Sequence, residues 1–308
     1  MRLSPHPFTL RQLQYLVAVA EQRSFRKAAD LCHVAQPSLS SQILHLEQAL
    51  GLTLFDRGPR QVILTEAGAR LVEQARMLLV GADDILQACA SFADPFSATL
   101  RLGVIHSAGP YLLPCLSKGI RDAFPKLSIQ WIEDRTTALT AKLESGELDG
   151  ALLAVESAIG VVEHAVIGKD PFVLAVPKSH ALSRGKAPVA RSALAGEQVL
   201  LLEDGHCFRD QALDFCSKSG VQEMAFRATS LSTLAQMTAS GTAITLLPKV
   251  SLAVENRQGD LVIRRLATPE PFRTLALCWR PRSALRPALI ALAAQMRKSF
   301  QVLQPDDQ

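Results

Sequence analysis

Large apolar residues return at every seventh position through one segment of the chain: Leu71, Leu78, Ile85 and Phe92. Ala75, Ala82 and Cys89 follow the first three by four residues, so the segment carries a heptad seam with large side chains at one core position and small ones at the other. Thr65 can cap it, and the pattern predicts one helix from about Glu66 to Phe92. A lone helix of this length cannot bury such a seam against itself. It is expected to pair with a second copy of the chain through Leu71, Leu78 and Ile85.

The rod divides the chain unequally. Residues 1–65 read as three short helices and a hairpin. Thr9, with Gln12 three residues on, forms a capping box, and Leu10, Leu13, Leu16, Val17 and Ala20 make an apolar stripe. Ser24 starts a second helix whose Ala28-Ala29 pair allows close crossing, and His33-Val34-Ala35 is the turn. Pro37 falls in the first turn of a third helix, where its missing N–H costs little. Leu39, Ile43, Leu46 and Leu50 give that helix one buried face, and Gly51 ends it. Leu52–Phe55 and 61–64 then read as the arms of a hairpin, with Asp56-Arg57-Gly58-Pro59-Arg60 as its basic tip.

A helix-turn-helix works by laying its second helix in the DNA major groove. The open face of the third helix (Gln36, Pro37, Ser38, Ser40, Ser41, Gln42 and His45) is short, polar and suited to base edges. Arg26, Arg57 and Arg60 are placed for phosphates, which fix register but not sequence. Charge alone would not have suggested DNA: residues 1–66 hold seven Lys/Arg against five acids, and the whole chain is +4.

After residue 95 the pattern changes to strands alternating with helices: Leu100–Ile105, Ile129–Ile132, Ala151–Ala154, Phe172–Val176, Val199–Leu202, Ala243–Leu247 and Leu275–Trp279. That alternation predicts α/β layers. The expected divisions are 1–65 for DNA, 66–94 for the linker and dimer helix, and 95–308 for an effector domain. The whole chain of 308 residues is 48% hydrophobic and 20% charged, the balance of globular domains. No apolar run suits a membrane span, and the first residues lack a signal peptide's apolar stretch, so no membrane partner is expected and cytoplasm is the default.

Six cysteines are present, with no CxxC pair and no zinc-like Cys/His spacing, so neither metal nor cofactor is expected. Cys207 stands apart. It follows a predicted strand and opens a predicted helix, where the helix dipole favours a thiolate. His206 and Arg209 flank it as cations or donors, and these too lower a thiol pKa. Cys216, nine residues on, is a candidate resolving thiol. The plain alternative is that both are small core residues. The other four fit the core reading better.

The string Arg11-Gln12-Leu13, Ser24-Phe25-Arg26-Lys27-Ala28-Ala29, Gln36-Pro37-Ser38-Leu39-Ser40, Leu54-Phe55-Asp56-Arg57 and Leu64-Thr65-Glu66-Ala67-Gly68 resembles the LysR-type transcriptional regulators. The resemblance implies promoter-DNA binding by a winged helix-turn-helix, a linker-helix dimer or tetramer, and RNA polymerase as a further partner. It also implies an effector domain of two α/β halves like a periplasmic binding protein, here about 95–170 plus 272–308, and 171–271. The run Glu203-Asp204-Gly205-His206-Cys207-Phe208-Arg209-Asp210, with Gly109-Pro110-Tyr111 and Phe226-Arg227-Ala228-Thr229-Ser230-Leu231, resembles the peroxide-sensing members of that family. This second resemblance implies a peroxidatic Cys207, a resolving Cys216 and a peroxide pocket of Ser107, Thr136, His206, Asp210 and Arg273. Position 107 is Ser where the best-known pattern has Thr, which keeps the hydroxyl and drops a methyl. The implied function is a peroxide-responsive regulator of oxidative-stress genes, not an enzyme. The competing readings are a LysR-type regulator of a small organic anion and, more remotely, a DNA-binding thiol peroxidase.

Overall fold

The computed structural model describes residues 5–57, 62–93, 96, 99–217 and 219–303. The expected wing tip (58–61), the side chains of Arg57 and Phe92, and the 94/95 boundary lie outside the described residues. The chain forms two compact units, one through Cys89 and the other from Ala90 onward.

The first unit is built on α1 (Leu10–Gln22), α2 (Phe25–Leu31) and α3 (Gln36–Leu50). The Thr9 capping box closes in both directions: Gln12 N–H donates to Thr9 Oγ1 at 3.3 Å and Thr9 N–H to Gln12 Oε1 at 2.9 Å. Ser24 Oγ accepts the Lys27 N–H at the head of α2. His33 takes the left-handed turn between α2 and α3 at φ 52°. Leu13, Leu16, Ala28, Leu39, Ile43 and Leu46 make the core.

The hairpin is β1 (Phe55–Arg57) on β2 (Val62–Leu64), with Asp56 opposite Ile63 and Arg57 opposite Val62. Asp56 and Arg57 thus belong to a strand, not to the tip, and Leu52–Leu54 is not part of it. The reason is that Leu54 is drawn into the core, and its N–H donates to Glu47 Oε1 at 2.8 Å instead of joining a ladder.

Behind the hairpin runs α4 (Glu66–Ala93), 28 residues and so about 42 Å long. Thr65 Oγ1 caps it by accepting the Gly68 N–H at 2.9 Å. A Cβ on Gly68 would sit 2.1 Å from the Leu54 carbonyl oxygen, so only glycine lets the helix start this close to the hairpin. The seam splits along the rod. Ala75 is buried in the head's own core and Leu71 packs partly against it. Leu78 and Ile85 are 52% and 66% exposed, beside exposed Met77 and Leu86. The first turns cover the head that precedes them, and the apolar stripe stands open from Leu78.

The second unit is an α/β layer structure around one mixed sheet. Its strands are β3 (Thr99–Ile105), β4 (Ser128–Asp134), β5 (Gly150–Ala154), β6 (Glu163–Pro177), β7 (Gln198–Leu202), β8 (Gln222–Ala228), β9 (Ile244–Pro248), β10 (Leu261–Arg264) and β11 (Phe272–Trp279). Its helices are α5 (Gly109–Ala123), α6 (Thr136–Glu144), α7 (Cys207–Ser217), α8 (Leu231–Ala239), α9 (Leu252–Glu255) and α10 (Arg286–Leu303). The strand order is β4-β3-β5-β11-β6-β9-β7-β8, with β10 also on β6.

The long β6 joins two halves. Its first part pairs with β11, and its last part with β9 and β10. Each half has its own core, one around Leu102, Leu152 and Leu292, the other around Leu174, Leu200 and Leu246. Sequence reading missed β8, β10 and the first part of β6. The first of these is an edge strand whose residues are mostly exposed, so no apolar alternation marks it.

Candidate functional site

On the first unit, α3 presents Gln36, Pro37, Ser38, Ser41 and His45 to solvent, while Ser40 and Gln42 are half-buried. Gln42 is not free to reach outward like the others, because its Oε1 accepts from Gln12 Nε2 at 3.2 Å. The side chain that completes the capping box of α1 therefore also ties α1 to α3. Arg26 on α2 is exposed.

On the second unit, Cys207 is the first residue of α7, set just after the loop from β7. It is 6% exposed and packs in the core of the β3–β5 half, although α7 belongs to the other half. Cys216, on the same helix, is 2% exposed and packs in the second core. Burial pushes the Cys216 thiol up to about 12. Both sulfurs are free thiols. With α7 helical throughout, nine residues separate the two Cα atoms by about 13.5 Å, whereas a disulfide tolerates at most about 7 Å.

The two expected helpers of the Cys207 thiolate, named as cations or donors, have these surroundings. Arg209 points its guanidinium elsewhere: Nε donates to Asp204 Oδ1 at 3.0 Å, and Nη1 to Glu223 Oε1 at 2.8 Å and the Leu202 carbonyl at 3.0 Å. A buried guanidinium needs acceptors, and these carboxylates and the strand end supply them. The surroundings of His206 disfavour its charged form. Burial holds its pKa below the usual value, and His106 and Arg135 push the same way against Glu203. Its ring meets that of His106 edge-on at 5.6 Å.

Ser107 and Arg273, far apart in sequence, do meet. Arg273 is wholly buried, and donates from Nη1 to Ser107 Oγ at 2.6 Å and from Nη2 to the Ser107 carbonyl at 2.9 Å. Its Nε donates to Asp170 Oδ2 at 2.9 Å, and Asp170 is wholly buried too. Sequence reading missed Asp170. The only signal was an acid just before Pro171 and an apolar strand run, and its pairing opposite Arg273 across β6 and β11 needed the register. The carboxylate also accepts the Val250 N–H at 3.1 Å, so it ties both halves. The Arg273 guanidinium lies 5.8 Å over the ring of Phe208, the residue after Cys207.

Thr136 opens α6 with a buried hydroxyl that has no hydrogen-bond partner among the described residues. The expected five-residue pocket is divided. Ser107 and His206 line a cavity of about 200 Å³ with Tyr111 and Glu133. Cys207 and the exposed Asp210 line a larger one of about 560 Å³. Sequence reading gave no role to Tyr111 beyond its motif. Its hydroxyl donates to Glu255 Oε1 at 2.5 Å, which also accepts from Ser232 at 2.8 Å, so α5 of one half is tied to α8 and α9 of the other.

Comparison with known proteins places this geometry. Residues 10–69 match the bacterial regulatory helix-turn-helix model of the lysR family, and residues 93–301 match the LysR substrate binding domain. The chain belongs to the LysR family, in its OxyR group. The chain is similar to the hydrogen peroxide-inducible genes activator of Pectobacterium carotovorum, at 43% identity across 95% of this chain and 97% of that one. The DNA-binding transcriptional dual regulator OxyR of Escherichia coli K12 is 42% identical across 94% of each chain. Among solved structures, full-length OxyR of Pseudomonas aeruginosa with a cysteine-to-aspartate substitution superposes with TM-score 0.77, at 33% identity, over 95% of this chain and 96% of that one. The reduced form of OxyR superposes with TM-score 0.62 at 38% identity, over 67% of this chain and 98% of that one. This OxyR-group chain therefore carries the family's winged helix-turn-helix and its two-half effector domain.

Proposed function

We propose that this chain is a DNA-binding transcription regulator that senses hydrogen peroxide through Cys207 and Cys216. The Cys207 thiolate attacks one peroxide oxygen, the S–O bond forms as the O–O bond breaks, and hydroxide leaves. The Cys207 sulfenic acid then condenses with the Cys216 thiol, losing water, to give a disulfide. Ser107, Thr136, His206, Asp210 and Arg273 form the surroundings of that first step. Arg273, whose guanidinium lies 5.8 Å over the ring of the adjoining Phe208, is the charge assigned to favour thiolate and departing hydroxide. Signal output runs through the promoter contacts of Arg26, Gln36, Pro37, Ser38, Ser40, Gln42 and Arg57, in a dimer or tetramer held by α4, with RNA polymerase as the downstream partner. The peroxide names of the relatives support the signal, and the absence of any membrane-length apolar helix among the described residues fits a cytoplasmic regulator.

The observation that carries the reading is the placement of the two cysteines in different cores of one unit on a single helix. No disulfide fits that backbone, so closing it must unwind α7 between Phe208 and Phe215, a local order change able to repack an interface. The test is brief peroxide exposure followed by peptide mass spectrometry and amide exchange. A Cys207–Cys216 bridge with loss of protection across 208–215 is the expected result. Absence of the bridge, or equal exchange in both states, sinks it. Cys216→Ser is expected to form the Cys207 sulfenic acid and fail to hold the active state.

A further inference from the structure

The cavity that Cys207 lines is far larger than the proposed signal requires. Its volume of about 560 Å³ falls in the range of roughly 300–1,000 Å³ that small organic ligands occupy. Hydrogen peroxide needs only about twice the ~30 Å³ of a water molecule. Phe172, Phe215 and Phe272, with Pro269 and Pro271, supply the apolar part of its walls. Two uncharged polar groups also line it. Ser157 Oγ and both carboxamide atoms of Gln211 are buried and have no hydrogen-bond partner among the described residues. Gln211 stands four residues after Cys207, one helical turn along the same face of α7. Buried polar atoms of this kind are satisfied by water or ligand.

The lining charge is one-sided. Glu156, Asp210, Asp214 and Glu270 outnumber the cations beside the lining, Arg191, whose guanidinium is 4.6 Å over the Phe215 ring, and Lys169, whose ammonium is 4.5 Å over the Phe272 ring. Of the four acids, Glu270 is paired with Arg265 at 3.0 Å outside the cavity. Several like charges within a Debye length of about 8–10 Å disfavour an anion in the cleft.

We propose that this cavity admits uncharged organic hydroperoxides to Cys207 and turns away anionic ones. The inference rests on Cys207 being the reactive thiol, as proposed above. The apolar tail lies against the three phenylalanines, and the carbon-bound oxygen meets the Gln211 carboxamide and Ser157 hydroxyl. The thiolate attacks the terminal oxygen of R–O–O–H. The S–O bond forms as the O–O bond breaks, the sulfur gives up two electrons, and the alkoxide leaves to take a proton from water. The products are the Cys207 sulfenic acid and the alcohol R–OH.

The experiment follows loss of the free Cys207 thiol by peptide mass spectrometry in the full-length chain. The reagents are hydrogen peroxide, cumene hydroperoxide and the para-carboxylate analogue of the latter. Cumene hydroperoxide is expected to react at least as fast as hydrogen peroxide. Its carboxylate analogue should be about tenfold slower at low salt, with the gap narrowing as salt screens the cavity. Ala158→Trp, at the cavity's exposed lip, should slow cumene hydroperoxide about tenfold or more and leave hydrogen peroxide within about twofold, the scale on which a filled pocket discriminates by size. The hydrogen peroxide rate is the control for folding. Cumene hydroperoxide tenfold slower than hydrogen peroxide in the unaltered chain, or an equal loss for both in Ala158→Trp, overturns the proposal. Cys207 inert to hydrogen peroxide alone would overturn the peroxide reading and leave this one standing. Inert to both, it would overturn both.

Discussion

The buried cluster of Arg273, Ser107 and Asp170 and the helix that carries the two cysteines are built on opposite principles. The cluster is an ion pair across the paired strands β6 and β11, with the Ser107 hydroxyl and carbonyl accepting further bonds from the guanidinium. The helix α7 has its first residue in one core and Cys216 in the other, and its opening turn is held by Arg209 through Asp204, which is mostly exposed, and Glu223. The first arrangement resists local movement, and the second leaves the head of α7 held in part by a solvated carboxylate. Within α4 the same contrast recurs: the Leu71 end is packed on its own head, and the Leu78 end is open.

Breaking this cluster should have the largest effect. Arg273→Met removes a buried counter-charge from Asp170, at a cost of about 3–5 kcal/mol in denaturant unfolding of the second unit. The double variant Arg273→Met with Asp170→Asn should recover most of that stability and still oxidise slowly at Cys207 in stopped flow. Full recovery of the oxidation rate would mean that the guanidinium only holds the fold. Next, Leu78→Asp places a carboxylate in the open seam. It is expected to weaken dimerisation about a hundredfold, about 2.7 kcal/mol, by sedimentation. An unchanged oligomer would remove α4 as the main contact.

A smaller effect is expected at the head of α7. Arg209→Met loses charge-assisted hydrogen bonds worth about 1.5–3 kcal/mol, and most of that comes from Glu223 and the Leu202 carbonyl, since Asp204 is largely solvated. Exchange across 208–215 should rise in the reduced protein. If it does not, α7 is held by its cores alone.

The pH dependence separates the two ends more finely. Cys216 in the fold stays protonated to about 12, while an unfolded thiol ionises near 9.0. Stability from this group is complete below pH 9 and is lost as pH rises toward 12. Cys216→Ser should flatten that alkaline slope in part, with the remainder belonging to Cys278, held up to about 12 in the same way. His206 has the opposite sign. Its lowered pKa means the fold favours neutral imidazole, so stability is present above 6.5 and falls as pH drops through the lowered value. His206→Asn should remove that acid-side slope, read by thermal unfolding across pH 5–7. A slope that survives points to another group.

Local chemistry made the head legible. Thr9 with Gln12 and Ser24 mark helix starts through side-chain caps, Pro37 by its missing N–H in a first turn and Gly51 by its left-handed backbone, and Leu39, Ile43 and Leu46 show their face by spacing alone. The heptad in α4 and the position of Cys207 after a strand and before a helix were equally plain, because each depends on near neighbours. The Ser107 and Arg273 assignment came through family likeness, and the structure brings the two side chains together.

Tertiary structure alone decided the rest. Asp170 faces Arg273 because β6 and β11 pair in one register, information held by strands 103 residues apart. Arg209 binds acceptors from β8 and the β7 end that converge only in the fold, and burial rather than any neighbour in sequence is the main reason that the His206 pKa is lowered. Sequence determines where helices start and which faces are apolar, since these are short-range steric and hydrogen-bonding choices. Which charges meet, and which core each end of α7 enters, depends on desolvation and strand register, and only the folded chain supplies both.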